Sequence, residues 1–284
     1  VTDEGTDEGP DSGAGDDPFA ADAAFARGLA GRAGQILFTH YEHVEQIDHK
    51  SARDVVTEVD HLSEHFILDA IREAFPGDGI LAEESGAHAH HAHDTEVPRS
   101  LAHGRTWIVD PLDGTINYAN GIPCFCVSIG LVVDGRPAAG AVHDPMRGET
   151  FWATADGPAY LDDREVRASG KEKMTDFVVS LALGGRAVAT RARAVRRAIR
   201  VSRSMGSSAL ALSYVANGRF DAFIQSGGMS AWDVAAAGLI AERAGALVTD
   251  SAGGPWFDVG KATQGFGVVA APRAHHAELL RLSR

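Results

Sequence analysis

What the chain has little of narrows the field first. Its 284 residues contain only two cysteines, Cys124 and Cys126. In a strand, a C-x-C pair points both side chains to one face, too close in sequence for an unstrained disulfide. The two therefore read as core thiols, and a reducing, cytoplasmic setting is expected. No apolar run approaches the ~20 residues that span a bilayer, which speaks against a membrane protein. No basic stretch followed by an apolar one opens the chain, so no secretory signal is expected. Basic residues are missing altogether from residues 1–22, which hold eight of the 39 acids. That leaves 31 acids against 26 bases, so only −5 of the formal charge of −13 belongs to the rest of the chain. Such a body lacks the basic surface that neutralises a phosphate backbone, which argues against nucleic-acid partners. Residues 1–18, rich in Gly and Asp, are expected to form a disordered acidic tail.

The remainder alternates in an orderly way. Apolar residues at helical spacing (Phe25, Leu29, Ile36, Leu37) predict a helix over 19–47, and a second stripe predicts one over 60–74, stopped by Pro76-Gly77. A short strand at 80–82 leads into a loop over 86–105 that carries His88, His90, His91 and His93. Alanine spacers make this a solvated loop in preference to a transition-metal site. Trp107-Ile108-Val109 reads as a strand ending at Pro111. A hairpin turns at Asp134-Gly135, between 124–133 and 137–143, and continues through 150–153. Beyond residue 175 the pattern becomes strand 177–182, an Arg-rich helix, strand 200–204, helix 207–217, strand 221–225, helix 231–244, and strands at 246–250 and 266–270. The fold class is α/β, with an α+β N-terminal half over 19–170 and an α/β C-terminal half over 171–284. Arg186, Arg191, Arg193, Arg196, Arg197, Arg200 and Arg203 read mostly as a solvated helix face, with a second substrate phosphate or a dimer contact as the alternative.

Five acids stand at the ends of short apolar segments: Asp60, Glu83, Asp110, Asp113 and Asp233. Converging carboxylates repel one another and stay ionised only with cations between them, and hard oxygen ligands select Mg²⁺ or Mn²⁺. Pro111 turns the backbone, which allows Asp110 and Asp113 onto one metal cluster with the Leu112 carbonyl as a further oxygen ligand. Gly114 permits close approach of a ligand, and the Gly114 and Thr115 amides face a phosphate if a helix starts there. The Thr115 hydroxyl is placed to orient a water through a neighbouring carboxylate. For Asp-Gly the competing account is a plain turn, and for Asp233 a helix cap.

The segments Asp54–Asp60, Leu81-Ala82-Glu83-Glu84-Ser85, Trp107–Thr115 with Asn117, and Trp232-Asp233-Val234-Ala235-Ala236 resemble the inositol monophosphatase family in order and spacing. Arg203-Ser204-Met205-Gly206-Ser207 and Ala244-Gly245-Ala246 are similar to its C-terminal half, and the resemblance covers about residues 20–270. It implies a layered αβαβα sandwich of the inositol monophosphatase and fructose-bisphosphatase type. It also implies lithium-sensitive, Mg²⁺-dependent hydrolysis of a small phosphate monoester, commonly by a homodimer. Glu83, Asp110, Asp113 and the Leu112 carbonyl would then ligate the first metal, Asp233 a second, and Asp60 a third or the water network. Thr115, with Asp60 or Glu83, would activate the water. Asp113, Gly114 and Thr115 would hold the phosphate.

The substrate signal is thinner. The family carries an acid before its Trp-Asp pair that helps recognise inositol hydroxyls. This chain reads Phe223-Ile224-Gln225-Ser226-Gly227-Gly228-Met229-Ser230-Ala231, with Gln225 and one extra residue. Gln225, Gly206 and Ser207 are candidate substrate contacts, with a helix cap as the other account of Gly206-Ser207. Inositol 1-phosphate is the expected substrate; histidinol phosphate, fructose 1,6-bisphosphate and adenosine 3′,5′-bisphosphate are the alternatives within the family. A non-catalytic metal-binding regulatory protein is the reading from a different class.

Overall fold

A computed structural model describes residues 17–43, 47–51, 54–88, 99–185, 187–261 and 265–284. Most of the acidic tail, together with His90, His91, His93 and Arg186, lies outside the described residues. The chain begins with helix α1 (Ala20–His40), a two-stranded antiparallel ribbon of β1 (Ile47–Ser51) and β2 (Asp54–Thr57), and helix α2 (Glu58–Ala74). Helix α1 is shorter than expected, because Tyr41 takes an extended conformation (φ −61, ψ 133). Helix α2 starts on a capping box in which Thr57 and Asp60 satisfy each other's backbone amides.

Next come β3 (Gly79–Ala82), β4 (Gly86–His88), α3 (Arg99–Ala102), β5 (Arg105–Asp113), α4 (Thr115–Ala119), β6 (Cys126–Val133), β7 (Arg136–Asp144), β8 (Glu149–Thr154), β9 (Ala159–Leu161) and β10 (Arg164–Val166). Eight of these strands form one sheet in the order β10-β9-β8-β7-β6-β5-β3-β4, antiparallel except where β3 meets β5. The β6–β7 turn is tight because Asp134 and Gly135 both take positive φ (48 and 78), whose twist matches the flanking strands. One expectation is corrected here: β5 does not end at Pro111. It continues to Asp113, with a register shift between Asp110 and Asp113 that absorbs the missing proline N–H.

The remaining chain supplies β11 (Val178–Ala182), α5 (Val188–Ala198), β12 (Val201–Arg203), α6 (Ser208–Ser213), β13 (Ala222–Met229), α7 (Ala231–Arg243), β14 (Ala246–Asp250), β15 (Phe266–Pro272) and α8 (Arg273–Ser283). Its sheet runs β12-β11-β13-β15-β14, with β11 parallel to both neighbours and β15 antiparallel to both of its own. Three apolar clusters mark the contacts between layers. One packs α1 and α2 on the large sheet, one packs α6 and α7 between the two sheets, and one packs α5 and α8 under the small sheet. The protein is the αβαβα sandwich. Among the described residues, no helix is long and apolar enough to cross a membrane.

Helix α7 explains how the two sheets come close. It is buried on nearly every side, so its sequence is alanine-rich rather than amphipathic. A Cβ on Gly140 of β7 would sit 2.7 Å from the Ala236 Cα, and one on Gly130 of β6 would sit 3.1 Å from the Ala236 nitrogen. The two glycines form the seat for the helix backbone. Replacing Gly140 with Val is therefore expected to overpack this layer and cost roughly 1–3 kcal/mol. Urea unfolding should show this as a lower midpoint at unchanged slope; an unmoved midpoint would refute the close-packing account.

Candidate active site

In a regular strand, residues three apart point to opposite faces. The irregularity at Pro111-Leu112 brings Asp110 and Asp113 to the same side of β5. The Leu112 amide donates to Asp110 Oδ1 (3.0 Å), and Ser63 of α2 donates to the Pro111 carbonyl (3.1 Å), which pins the kink from behind. Asp233 arrives from the first turn of α7. The Ser230 amide donates to its Oδ2 (2.6 Å), so Asp233 does cap the helix as well as facing the cluster. One carboxylate oxygen from each of Asp110, Asp113 and Asp233 lies within 4.8 Å of the others. Glu83 follows β3, donates its amide to the Val109 carbonyl (3.2 Å), and presses its side chain on Asp110.

Burial and mutual repulsion dominate the electrostatics. Desolvation first, then the charges of Glu83, Asp113 and Asp233, push Asp110 well above the ordinary carboxylate range. Burial and Asp113 do the same to Asp233. Asp113 is raised by burial, while the Ser207 hydroxyl and the backbone amides at the start of α6 pull it down. Ser207 Oγ donates at 2.5 Å and the Ala209 amide at 2.7 Å, both to Asp113 Oδ2. A set of hard oxygens that cannot all ionise in a buried site fits a divalent cation of the Mg²⁺ or Mn²⁺ kind.

Thr115 opens α4, with Gly114 at the cap in the left-handed region (φ 98). A side chain on Gly114 would meet the Cys124 carbonyl at 2.9 Å and the Ser207 Cβ at 3.2 Å, so only glycine fits this approach. The Thr115 hydroxyl lies 3.1 Å from Asp60 Oδ1 and 3.0 Å from the Leu112 carbonyl, and its one proton serves one of them at a time. Asp60 is fully buried, and its other oxygen accepts from the Thr57 amide (2.9 Å) and hydroxyl (2.6 Å).

These groups meet in a cleft of ≈ 750 Å³ walled by Glu83, Asp110, Leu112–Ile116, Gly206, Gly228, Ser230, Trp232, Asp233 and Gly265. Asp60 and Ser207 stand behind its wall and do not line it. Gln225 borders a separate cavity, where its Oε1 accepts from Ser208 (3.2 Å). Ser207, read from sequence as a substrate contact, turns its hydroxyl onto Asp113 instead. The partners of that bond are 94 residues apart, so no local pattern reveals it. Cys126, with its thiol 3.7 Å from both Asp113 and Ser207, is a buried neighbour of the same kind.

Stripped of divalent cations, the protein is expected to be less stable at neutral than at mildly acid pH through this cluster. Folded Asp110 and Asp233 hold protons more tightly than their unfolded counterparts. Their stabilising contribution is therefore fully present below the ordinary value of 3.8 and is lost as pH rises through the raised folded values. A cation at 100 times its Kd would restore about 2.7 kcal/mol at pH 7. Thermal unfolding with EDTA and with Mg²⁺ at pH 5 and pH 7 checks this, and a midpoint at pH 7 that no divalent cation moves would count against a metal centre.

The description of the inositol monophosphatase family matches residues 21–284. The chain is 37% identical over 254 residues to the Nus factor SuhB of Pasteurella multocida, covering 86% of this chain and 89% of that protein. It is 37% identical over 231 residues to the inositol-1-monophosphatase of Mesorhizobium japonicum, covering 78% and 83%. The crystal structure of extragenic suppressor protein suhB from Bartonella henselae matches with a TM-score of 0.82 at 31% identity, over 93% of this chain and 99% of that one. With sequence, layered fold and buried acids in agreement, the chain belongs to the inositol monophosphatase family and is a phosphoric monoester hydrolase.

Proposed function

We propose that this protein is a Mg²⁺-dependent phosphomonoesterase acting on inositol 1-phosphate as a cytoplasmic homodimer. One observation carries the catalytic part: three converging carboxylates form the floor of a polar cleft, beside a threonine hydrogen-bonded to a buried aspartate. Residues 19–170 supply most of the acids, and residues 171–284 complete the site. Glu83, Asp110, Asp113 and the Leu112 carbonyl are assigned to a first metal and Asp233 to a second, with Asp60 left to a third or to the proton path. When bound, the metals neutralise charge on the phosphoryl oxygens and lower the pKa of water.

The chain's own groups do the positioning. Thr115 Oγ accepts a hydrogen bond from the attacking water while its own proton points to Asp60 Oδ1, so a proton leaves the water toward Asp60. Glu83 lines the cleft and is the second acceptor within it. The Gly114 and Thr115 amides hold the phosphate where α4 begins, and the Gly206 backbone lines the leaving-group side. Ser207 is assigned to holding Asp113, and Gln225 to the neighbouring cavity rather than to an inositol hydroxyl. Inositol 1-phosphate as substrate is supported by the Mesorhizobium japonicum relative, an inositol-1-monophosphatase. The Pasteurella multocida relative carries a different name, Nus factor SuhB, and a non-catalytic metal-binding regulatory protein is the second reading.

Phosphate release should be measured with inositol 1-phosphate, histidinol phosphate, fructose 1,6-bisphosphate and adenosine 3′,5′-bisphosphate, with Mg²⁺ and with EDTA. The expected result is Mg²⁺-dependent turnover with the highest kcat/KM on inositol 1-phosphate. A higher value on another of the four replaces the substrate, and no release with any divalent cation overturns the assignment. Asp110→Asn is expected to abolish turnover while the fold persists. Thr115→Val should lower kcat by ~10²–10⁴ with KM little changed; equal loss through KM alone would remove Thr115 from the proton path.

A further inference from the structure

A second cavity, of ≈ 220 Å³, opens where the parallel pairing of β11 and β13 stops at Ala182 and Gln225. Ligands of α/β sheets collect at such carboxyl ends. Arg191 of α5 and Arg284, beyond α8, wall it together with Gln225, Ser226 and Ser251. No Asp or Glu is among the lining residues, and among the described residues neither arginine pairs with a carboxylate.

Arg191 is the telling group. Its Nη1 donates to the Ser283 carbonyl (3.2 Å) and its Nη2 to the Gly184 carbonyl, while its buried Nε finds no partner among the described residues. Buried donors are rarely left so. Ser226 Oγ accepts from the Gly184 amide (2.9 Å), which leaves its own proton to donate. Arg284 spends its Nε on the Ser251 carbonyl (3.2 Å). The walls thus offer two positive charges and a hydroxyl proton, in a chain whose net charge is −13. A staple tying α5 to α8 and to the end of β11 accounts for Arg191's two carbonyl bonds. It accounts neither for the free Nε nor for the second guanidinium beside it.

We infer that this cavity binds a phosphate-class oxyanion, either free phosphate or a phosphate group carried on a metabolite. Guanidinium forks match phosphate oxygens, and the volume holds roughly seven waters' worth of ligand, enough for one such group with part of its hydration. The site is separate from the acid cluster but adjoins the cleft. Gln225 accepts from Ser208, the neighbour of the residue that holds Asp113, and β13 reaches the cleft wall at Gly228.

Inorganic phosphate should be titrated calorimetrically into the full chain in EDTA, so that binding owes nothing to divalent metal or turnover. Wild type and the exposed-face control Arg193→Gln are expected to bind alike, and Arg191→Gln and Arg284→Gln about tenfold or more weaker. Arg284→Gln leaves the Arg191 carbonyl bonds intact, so it tests the site even if Arg191→Gln unfolds. No binding by wild type through the millimolar range, or an unchanged Kd in Arg284→Gln, overturns the proposal. A parallel arm measures fructose 1,6-bisphosphate turnover with Mg²⁺. A raised KM at unchanged kcat in Arg284→Gln assigns the site to a phosphate on the substrate. An unchanged KM alongside lost phosphate binding assigns it to free phosphate. Failure of the phosphatase reading would leave the calorimetric arm standing.

Discussion

Carboxylates packed together in a buried place repel one another, and much of this fold is arranged around that repulsion. Asp110, Asp113 and Asp233 meet at the junction of a strand and a helix, with Glu83 beside them. Each is held by donors from the backbone or a short side chain: the Leu112 amide on Asp110, Ser207 and the Ala209 amide on Asp113, and the Ser230 amide on Asp233. These bonds fix the orientation of each aspartate in a cluster that could hold a metal ion. The cluster is therefore preorganised at a cost in stability that a bound cation would offset.

The layering makes that geometry possible. Asp110 and Asp113 belong to the large sheet, whereas Asp233 belongs to the helix sandwiched between the sheets. Their distance depends on how closely α7 lies on β6 and β7, which Gly130 and Gly140 set by having no side chain. Helix α6 works from the same layer. Its start holds Asp113, and Tyr214 at its end donates to the buried Asp144 of β7 (2.8 Å), so it is tied to the large sheet at both ends. Packing and electrostatics are thus coupled through one central helical layer.

The small sheet adds a complementary sign. Acids gather where β5 and α7 meet, while two arginines with no carboxylate partner among the described residues line the neighbouring cavity. Cation-seeking and anion-seeking walls stand side by side along β13, which contributes Gly228 to one and Gln225 and Ser226 to the other.

Much of this was legible in the chain itself. The alternation of apolar segments determined the longer helices, most strands and the division between a largely antiparallel and a partly parallel sheet, because side-chain periodicity is a local property. The short strands β1, β2, β4, β9 and β10, and the helices α3 and α8, were not read that way, and β4 and α3 fall within the stretch expected to be a loop. The acids at segment ends also pointed to a cluster that could hold a metal ion, and Asp110, Asp113 and Asp233 do converge. Tertiary structure alone decided the rest. It carried β5 past Pro111 so that two aspartates three residues apart face one way. It turned the Ser207 hydroxyl onto Asp113, and set Gln225 beside another cavity. It also picked Arg191 out of an arginine-rich helix and left its buried Nε without a partner among the described residues. Sequence specifies which groups are present and on which element; only the packing of distant elements decides which of them meet out of water, where charge and hydrogen bonding acquire their weight.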